Sequence, residues 1–117
     1  MSPASDLEAH YRAYISTLNK GDFDLLKEKY LASHILHTGR QLDPDGYCKL
    51  VWPHTTFEVD DLMTDVQDRK VASRLSITAG QRHLREIIFY EFDEQWRIYK
   101  AWSMVEELVN GIWGPVQ

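Results

Sequence analysis

The sequence predicts an α+β domain in which a curved antiparallel sheet folds over N-terminal helices. Three observations lead there. Apolar residues recur at helical spacing from Leu7 to about Val51, the period changes to alternation from Thr56 onward, and 117 residues leave room for one hydrophobic core. No internal repeat or low-complexity stretch interrupts that order, so 1–117 reads as a single domain.

The first helix is expected to start at a capping box, Ser5 with Glu8 three residues later, each side chain satisfying an amide that the first turn leaves free. Leu7, Tyr11, Tyr14, Ile15 and Leu18 share one stripe, and Gly21 can take the left-handed conformation that ends a helix. Asp22 caps a second, shorter helix with Leu25, Leu26 and Tyr30 on its apolar edge. A third begins where Asp43 precedes Pro44, a residue suited to the first helical position. Tyr47, Leu50 and Val51 form its buried side before Pro53 stops it.

Thr56 to about Val66 is a strand, and Asp68-Arg69-Lys70 is a polar turn. Val71 to Thr78 sets Val71, Ser73, Leu75 and Ile77 on one face, and Gly80 marks the next turn. His83–Phe92 and Arg97–Met104 follow as two more strands, separated by Asp93-Glu94-Gln95. The stretch 108–117, with Gly111, Gly114 and Pro115 around Ile112 and Trp113, reads as an irregular tail with one hydrophobic anchor.

A formal net charge of −5 works against a surface that tracks phosphates, so nucleic acid is not an expected partner. The single cysteine, Cys48, can close no intrachain disulfide and points to a reducing compartment. No apolar run reaches the length of a signal peptide core or a membrane span, so a soluble, cytoplasmic protein is expected.

The strand 83–92 carries the most chemical information. If Leu84, Ile88, Tyr90 and Phe92 pack on the helices, alternation places Glu86 on that same face and a carboxylate in an apolar setting. The plainer alternative is a structural carboxylate at a solvated strand end or in an ion pair. His37-Thr38-Gly39-Arg40 is a sharp turn expected to throw His37 and Arg40 towards the mouth of the cavity. A neutral imidazole relays protons near pH 7 and a guanidinium stabilises a forming enolate or alkoxide. Against this stand a turn histidine bonded to backbone and a surface arginine in an ion pair.

No metal site is expected: His34 and His37, three apart on an extended segment, point to opposite faces, and no HExxH or carboxylate-rich loop accompanies them. There is no phosphate loop, nucleophile elbow or dinucleotide fingerprint, so no cofactor is expected, and Cys48 reads as a small core hydrophobe. On the opposite face of the strand, Ile87 and Phe89 lie between His83, Arg85 and Glu91, a pattern that suits a subunit interface and predicts a homodimer.

Several segments in sequence order resemble the SnoaL-like polyketide cyclase family, within the nuclear transport factor 2-like fold group. They are Leu18-Asn19-Lys20-Gly21-Asp22 at a helix end, "HTGR" at 37–40, "VASRL" at 71–75, and "EIIFYEF" with "WRIYKAWSMVEE" in the last strands. The resemblance runs from about Leu7 to Glu107. It implies a cone-shaped curved sheet wrapped around three N-terminal helices, an apolar pocket and a homodimer through the outer sheet face. It also implies cofactor-free acid–base chemistry on polyketide or terpenoid intermediates. Carried onto this chain, the pocket is lined by His37, Arg40, Glu86, Tyr90 and Trp102, with Tyr14 and Tyr47 facing in from helices. Two departures stand out. Aligned back from Tyr90-Glu91-Phe92, the acid of the best-known cyclases falls at Ile88, and the turn from Thr78 to Arg82 is short, which would leave the pocket open there.

The expected function is isomerisation, cyclisation or dehydration of an apolar small molecule, with Glu86 as general acid or base, His37 as relay and Arg40 as the stabiliser of negative charge. Tyr14, Tyr47, Tyr90 and Trp102 are the expected substrate-binding residues. The contrasting reading is a non-catalytic module that binds an apolar ligand or dimerises. Glu86, His37 and Arg40 clustered around one cavity would favour the enzyme, and a cavity plugged by aromatic side chains would favour the module.

Overall fold

A computed structural model describes residues 3–117. Helix α1 (Pro3–Lys20) is already under way at Ser5, so the Ser5–Glu8 box does not mark its start; a proline in the first turn lacks only an N–H that would have no partner there. Its stripe is the expected one, with Leu7, Tyr11, Tyr14, Ile15 and Leu18 all buried. Helix α2 (Phe23–Lys29) is capped by Asp22, whose carboxylate accepts the Leu25 N–H at 3.2 Å. Leu26 and Tyr30 enter the core while Leu25 stays exposed. Helix α3 (Pro44–Cys48) starts as expected, Asp43 accepting the Gly46 N–H at 2.7 Å. It ends at Cys48, which leaves Leu50 and Val51 in an irregular connection over 49–54.

The N-terminal part is not purely helical. Between α2 and α3 run strands β1 (Leu31–His37) and β2 (Arg40–Leu42), joined by Thr38 and Gly39, both at positive φ, in a two-residue hairpin. Then follow β3 (Thr55–Asp65), β4 (Lys70–Ala79), β5 (Arg82–Phe92), β6 (Ile98–Val109) and β7 (Ile112–Pro115). The expected irregular tail is thus a short strand. Asn110-Gly111, both at positive φ, turn the chain back so that Leu108 pairs with Trp113.

All seven strands form one sheet in the order β2-β1-β6-β5-β4-β3, with β7 also on β6. The sheet is mixed and not antiparallel throughout, because β1 lies parallel to β6. One edge of β6 is shared: its first half takes β1 and its last four residues take β7. Extra residues at Asp60 in β3 and Tyr99 in β6 shift the ladders, as bulges do where strands bend to wrap a core. Helix α1 lies across the inner face, and its Asn19 side chain clamps β3, donating to the Phe57 carbonyl at 2.9 Å and accepting the Phe57 N–H at 2.7 Å. No helix among the described residues is long and apolar enough to cross a membrane.

In the turn that places His37, glycine is called for at position 39 by backbone conformation and not by space, since a Cβ on Gly39 (φ +83) would meet nothing within 4 Å. Gly39→Ala should therefore lower stability by about 1–2 kcal/mol in urea denaturation, the cost of a left-handed L-residue, with the far-UV spectrum unchanged.

Candidate active site

The inner face of β5 carries Leu84, Glu86, Ile88, Tyr90 and Phe92, as alternation predicts. The first four border a cavity of about 240 Å³. Tyr14 and Leu18 of α1, Tyr47 of α3, His37 at the end of β1, and Leu50, Val51 and Trp52 of the irregular connection form the other walls. Among the described residues no lysine or arginine lines this space. No group of three His, Cys, Asp or Glu side chains among them is placed to hold a metal ion.

Among the described residues Glu86 is the only carboxyl in the lining. Burial pushes its pKa up to about 7, against the opposing effect of a hydrogen bond from the Ser103 hydroxyl on β6. The sign of that shift could not be read from sequence, because a nearby Arg40 would have reversed it. Ser103 is held in turn by the β1–β2 turn, its N–H donating to Thr38 Oγ1 at 3.1 Å while the Thr38 N–H donates to the Ala101 carbonyl at 2.8 Å. Sequence reasoning passed over Ser103; its signal was membership of the inward alternation Ala101, Ser103, Val105, Glu107.

His37 shares the cavity with Glu86, its ring edge-on to Tyr47 at 5.9 Å between centroids. Burial lowers its pKa, and the Arg40 charge adds to that, so the imidazole is neutral at pH 7. Arg40 itself is exposed and outside the lining. It pairs with His37 across the hairpin, but β2 is the outermost strand, one step beyond the cavity wall. Trp102 is also misplaced by the sequence reading. The extra residue Tyr99 shifts the alternation of β6 after Ile98, so Trp102 stands 45 % exposed on the outer face against Phe89.

Tyr14 and Tyr47 face inward as expected, and they do more than shape the wall. Their hydroxyls lie 2.5 Å apart, so one donates to the other and the acceptor keeps its own proton free to donate onward. Burial raises both pKa values, which keeps the pair protonated at any working pH. Tyr90, buried and part of the same cavity wall, contacts Tyr14 edge-on at 5.7 Å and Tyr11 at 5.2 Å.

No protein-family model and no curated protein matches the chain. Solved structures do. A ketosteroid isomerase candidate from Kribbella flavida superposes with a TM-score of 0.73 at 18 % identity, covering 100 % of this chain and 84 % of that one. The fold is the nuclear transport factor 2-like cone. In the same fold, the epoxide hydrolase/cyclase-like enzyme SalBIII of pyran ring formation in salinomycin gives a TM-score of 0.69 at 13 % identity, over 94 % and 92 % of the two chains. A polyketide cyclase candidate from Acidithiobacillus ferrooxidans gives 0.64 at 19 % identity, over 89 % and 88 %. At such identities the likeness establishes the cone and leaves the chemistry to the residues inside it.

The Glu86 pKa carries a linked prediction for stability. Between an unfolded value near 4.5 and a folded value near 7, the native state holds the proton that the unfolded chain has lost, so stability falls as pH rises through that window. His10 and His37, both lowered, act in the opposite sense, so the comparison is with Glu86→Gln. Wild type should lose about 3 kcal/mol relative to that variant between pH 4.5 and 7.5 in urea titrations. A pH-independent difference would place the Glu86 carboxyl in water.

Proposed function

We propose that this protein is an acid–base enzyme acting on a neutral, largely apolar carbonyl compound of polyketide or terpenoid type, and that it promotes isomerisation, cyclisation or dehydration. The observation that carries the proposal is a carboxyl near neutral pKa in an apolar cavity, beside a hydroxyl pair with one proton to give. That likeness to isomerase and cyclase candidates supports the same reading.

Near pH 7 about half of Glu86 is carboxylate and half is acid, the condition for a group that must take a proton and return it. As base it removes a proton from the carbon next to the substrate carbonyl, and the C–H electron pair moves towards oxygen. The free hydroxyl of the Tyr14–Tyr47 pair donates to that oxygen as its charge grows, the role that the sequence assigns to Arg40. The protonated Glu86 then delivers the proton to another carbon in isomerisation, or to a departing hydroxyl in dehydration. His37, neutral and in the same cavity, exchanges protons between Glu86 and the mouth. A lining with no lysine or arginine among the described residues favours a substrate without a carboxylate or phosphate at its buried end.

The test is solvent deuterium incorporation next to the carbonyl of small β,γ-unsaturated cyclic ketones, followed by proton NMR. Exchange should rise with pH through about 7 as Glu86 ionises. Glu86→Gln should slow it by roughly 10²- to 10⁴-fold, Tyr47→Phe by about 10²-fold, and Arg40→Ala should leave it within about twofold. Near wild-type exchange in Glu86→Gln would move the base elsewhere, His37 being the next candidate. Tight ketone binding with no exchange in wild type would make the cavity a binding module.

The reading includes a symmetric homodimer through the outer sheet face. Ile87, Phe89, Trp102 and Met104 are neighbours across β5 and β6 and are between 45 % and 60 % exposed, an apolar patch that water disfavours. Sedimentation should give twice the monomer mass, and Phe89→Glu should return the monomer. A wild-type monomer at micromolar concentration and above would remove the dimer.

A further inference from the structure

The mouth of the cavity is organised around one guanidinium that lies outside it. Trp52 lines the cavity from the irregular connection 49–54, and its ring centre is 4.1 Å from the Arg82 guanidinium carbon. Arg82 stands at the first position of β5, just after the short Gly80-Gln81 turn where the sequence suggested an open pocket. It is locked on its far side. Nε and Nη2 donate to the two carboxylate oxygens of Glu107 on β6 at 2.7 and 2.8 Å. Nη2 also reaches the Gln117 carbonyl at 3.4 Å, and the Gln117 N–H donates to Glu107 at 3.1 Å. The hydrogen bonds from Arg82 and Gln117 hold the Glu107 carboxyl down at about 2, so the pair remains ionised wherever the fold is stable. Val116, next to Gln117, lines the same cavity.

Three segments that flank the opening therefore meet on Arg82: the connection 49–54, the start of β5 and the chain after β7. The connection has few anchors of its own. The Thr55 hydroxyl donates to the Trp52 carbonyl at 2.6 Å, the Leu50 and Val51 amides close turns onto Tyr47 and Cys48, and no strand ladder runs through it. A planar, weakly hydrated guanidinium stacked on an indole fixes the plane of the ring in a way that a lysine ammonium does not. The indole is 38 % exposed, a plate at the boundary between cavity and water.

We propose that Trp52 determines which ligands fit by limiting their size at the mouth, and that Arg82 is the positioning residue that holds it in place. The proposal rests on the cavity being the ligand site and is independent of what Glu86 does there.

Binding of two fluorescent phenols, 2-naphthol with two fused rings and pyren-1-ol with four, separates the possibilities. Wild type should prefer 2-naphthol. Trp52→Ala should move the ratio of the two dissociation constants towards pyren-1-ol by about tenfold or more, and Trp52→Phe should restore most of the preference. Arg82→Lys keeps a charge opposite Glu107 but loses the stacked plane, so it should shift the ratio in the same direction, by about threefold or more, with a melting temperature close to wild type. An unchanged ratio in Trp52→Ala overturns the role of Trp52. An Arg82→Lys variant that melts earlier with the ratio intact makes Arg82 purely structural and overturns its positioning role. If wild type binds neither phenol, or if binding survives Val105→Trp, which fills the cavity, the ligand-site reading falls and this inference with it.

Discussion

Alternate side chains of β5 must leave water together, and that constraint governs the rest of the molecule. Leu84, Ile88, Tyr90 and Phe92 cannot be buried without carrying Glu86 inward with them, because a pleated strand offers no other direction to the residue between Leu84 and Ile88. An ionised carboxylate there, with no lysine or arginine among the described residues of the cavity wall, is costly, so burial lifts the Glu86 pKa to about 7, and the one hydroxyl donor, Ser103, offsets part of that rise by favouring the ionised form. The raised pKa and the folding requirement thus have one origin: the apolar face that covers the helices is what lifts the acid towards neutrality.

The helices supply the complement. Tyr11 and Tyr14 lie one turn apart on the buried stripe of α1, and Tyr47 sits on the inward side of α3, so packing the helices against Tyr90 brings several phenols into one cluster. Aromatic rings bring large apolar area to the core while each hydroxyl demands a partner, and the Tyr14–Tyr47 bond meets that demand for these two rings inside the cavity wall. A hydrogen-bond donor therefore faces the same space as the acid without any charged residue entering it.

The two ends of the sheet differ in how they close the cavity. At β1 and β2 the closure is made by the hairpin turn itself, the Thr38 backbone N–H and side-chain hydroxyl tying it to Ala101 and Ser103 of β6. At the β4–β5 turn it is made by side chains, with Arg82 linking Glu107, the chain after β7 and the Trp52 ring. Contacts made by side chains can be removed one at a time by single substitutions, without moving the strand that carries Glu86.

Local chemistry in the sequence determined much of this protein. The helix caps at Asp22 and Asp43, the inward alternation of β4 and β5, the sharp turn at Gly39 and the placement of Glu86 all follow from interactions within a few residues, which a linear pattern records. Asn110-Gly111 was equally legible as a hairpin turn, and reading 108–117 as irregular overlooked it. Other features were decided only when distant segments met. The parallel pairing of β1 with β6 depends on which strand edge remains open, and the bulge at Tyr99 that sends Trp102 outward exists only against its partner strand. Arg40 shares its register with His37 yet lies outside the cavity, because the edge of a sheet is defined by what fails to pair beyond it. Ser103 beside Glu86 is set by the pairing register of β5 with β6, and Arg82 over Trp52 by the approach of a distant connection to the start of β5, neither of which a single strand contains.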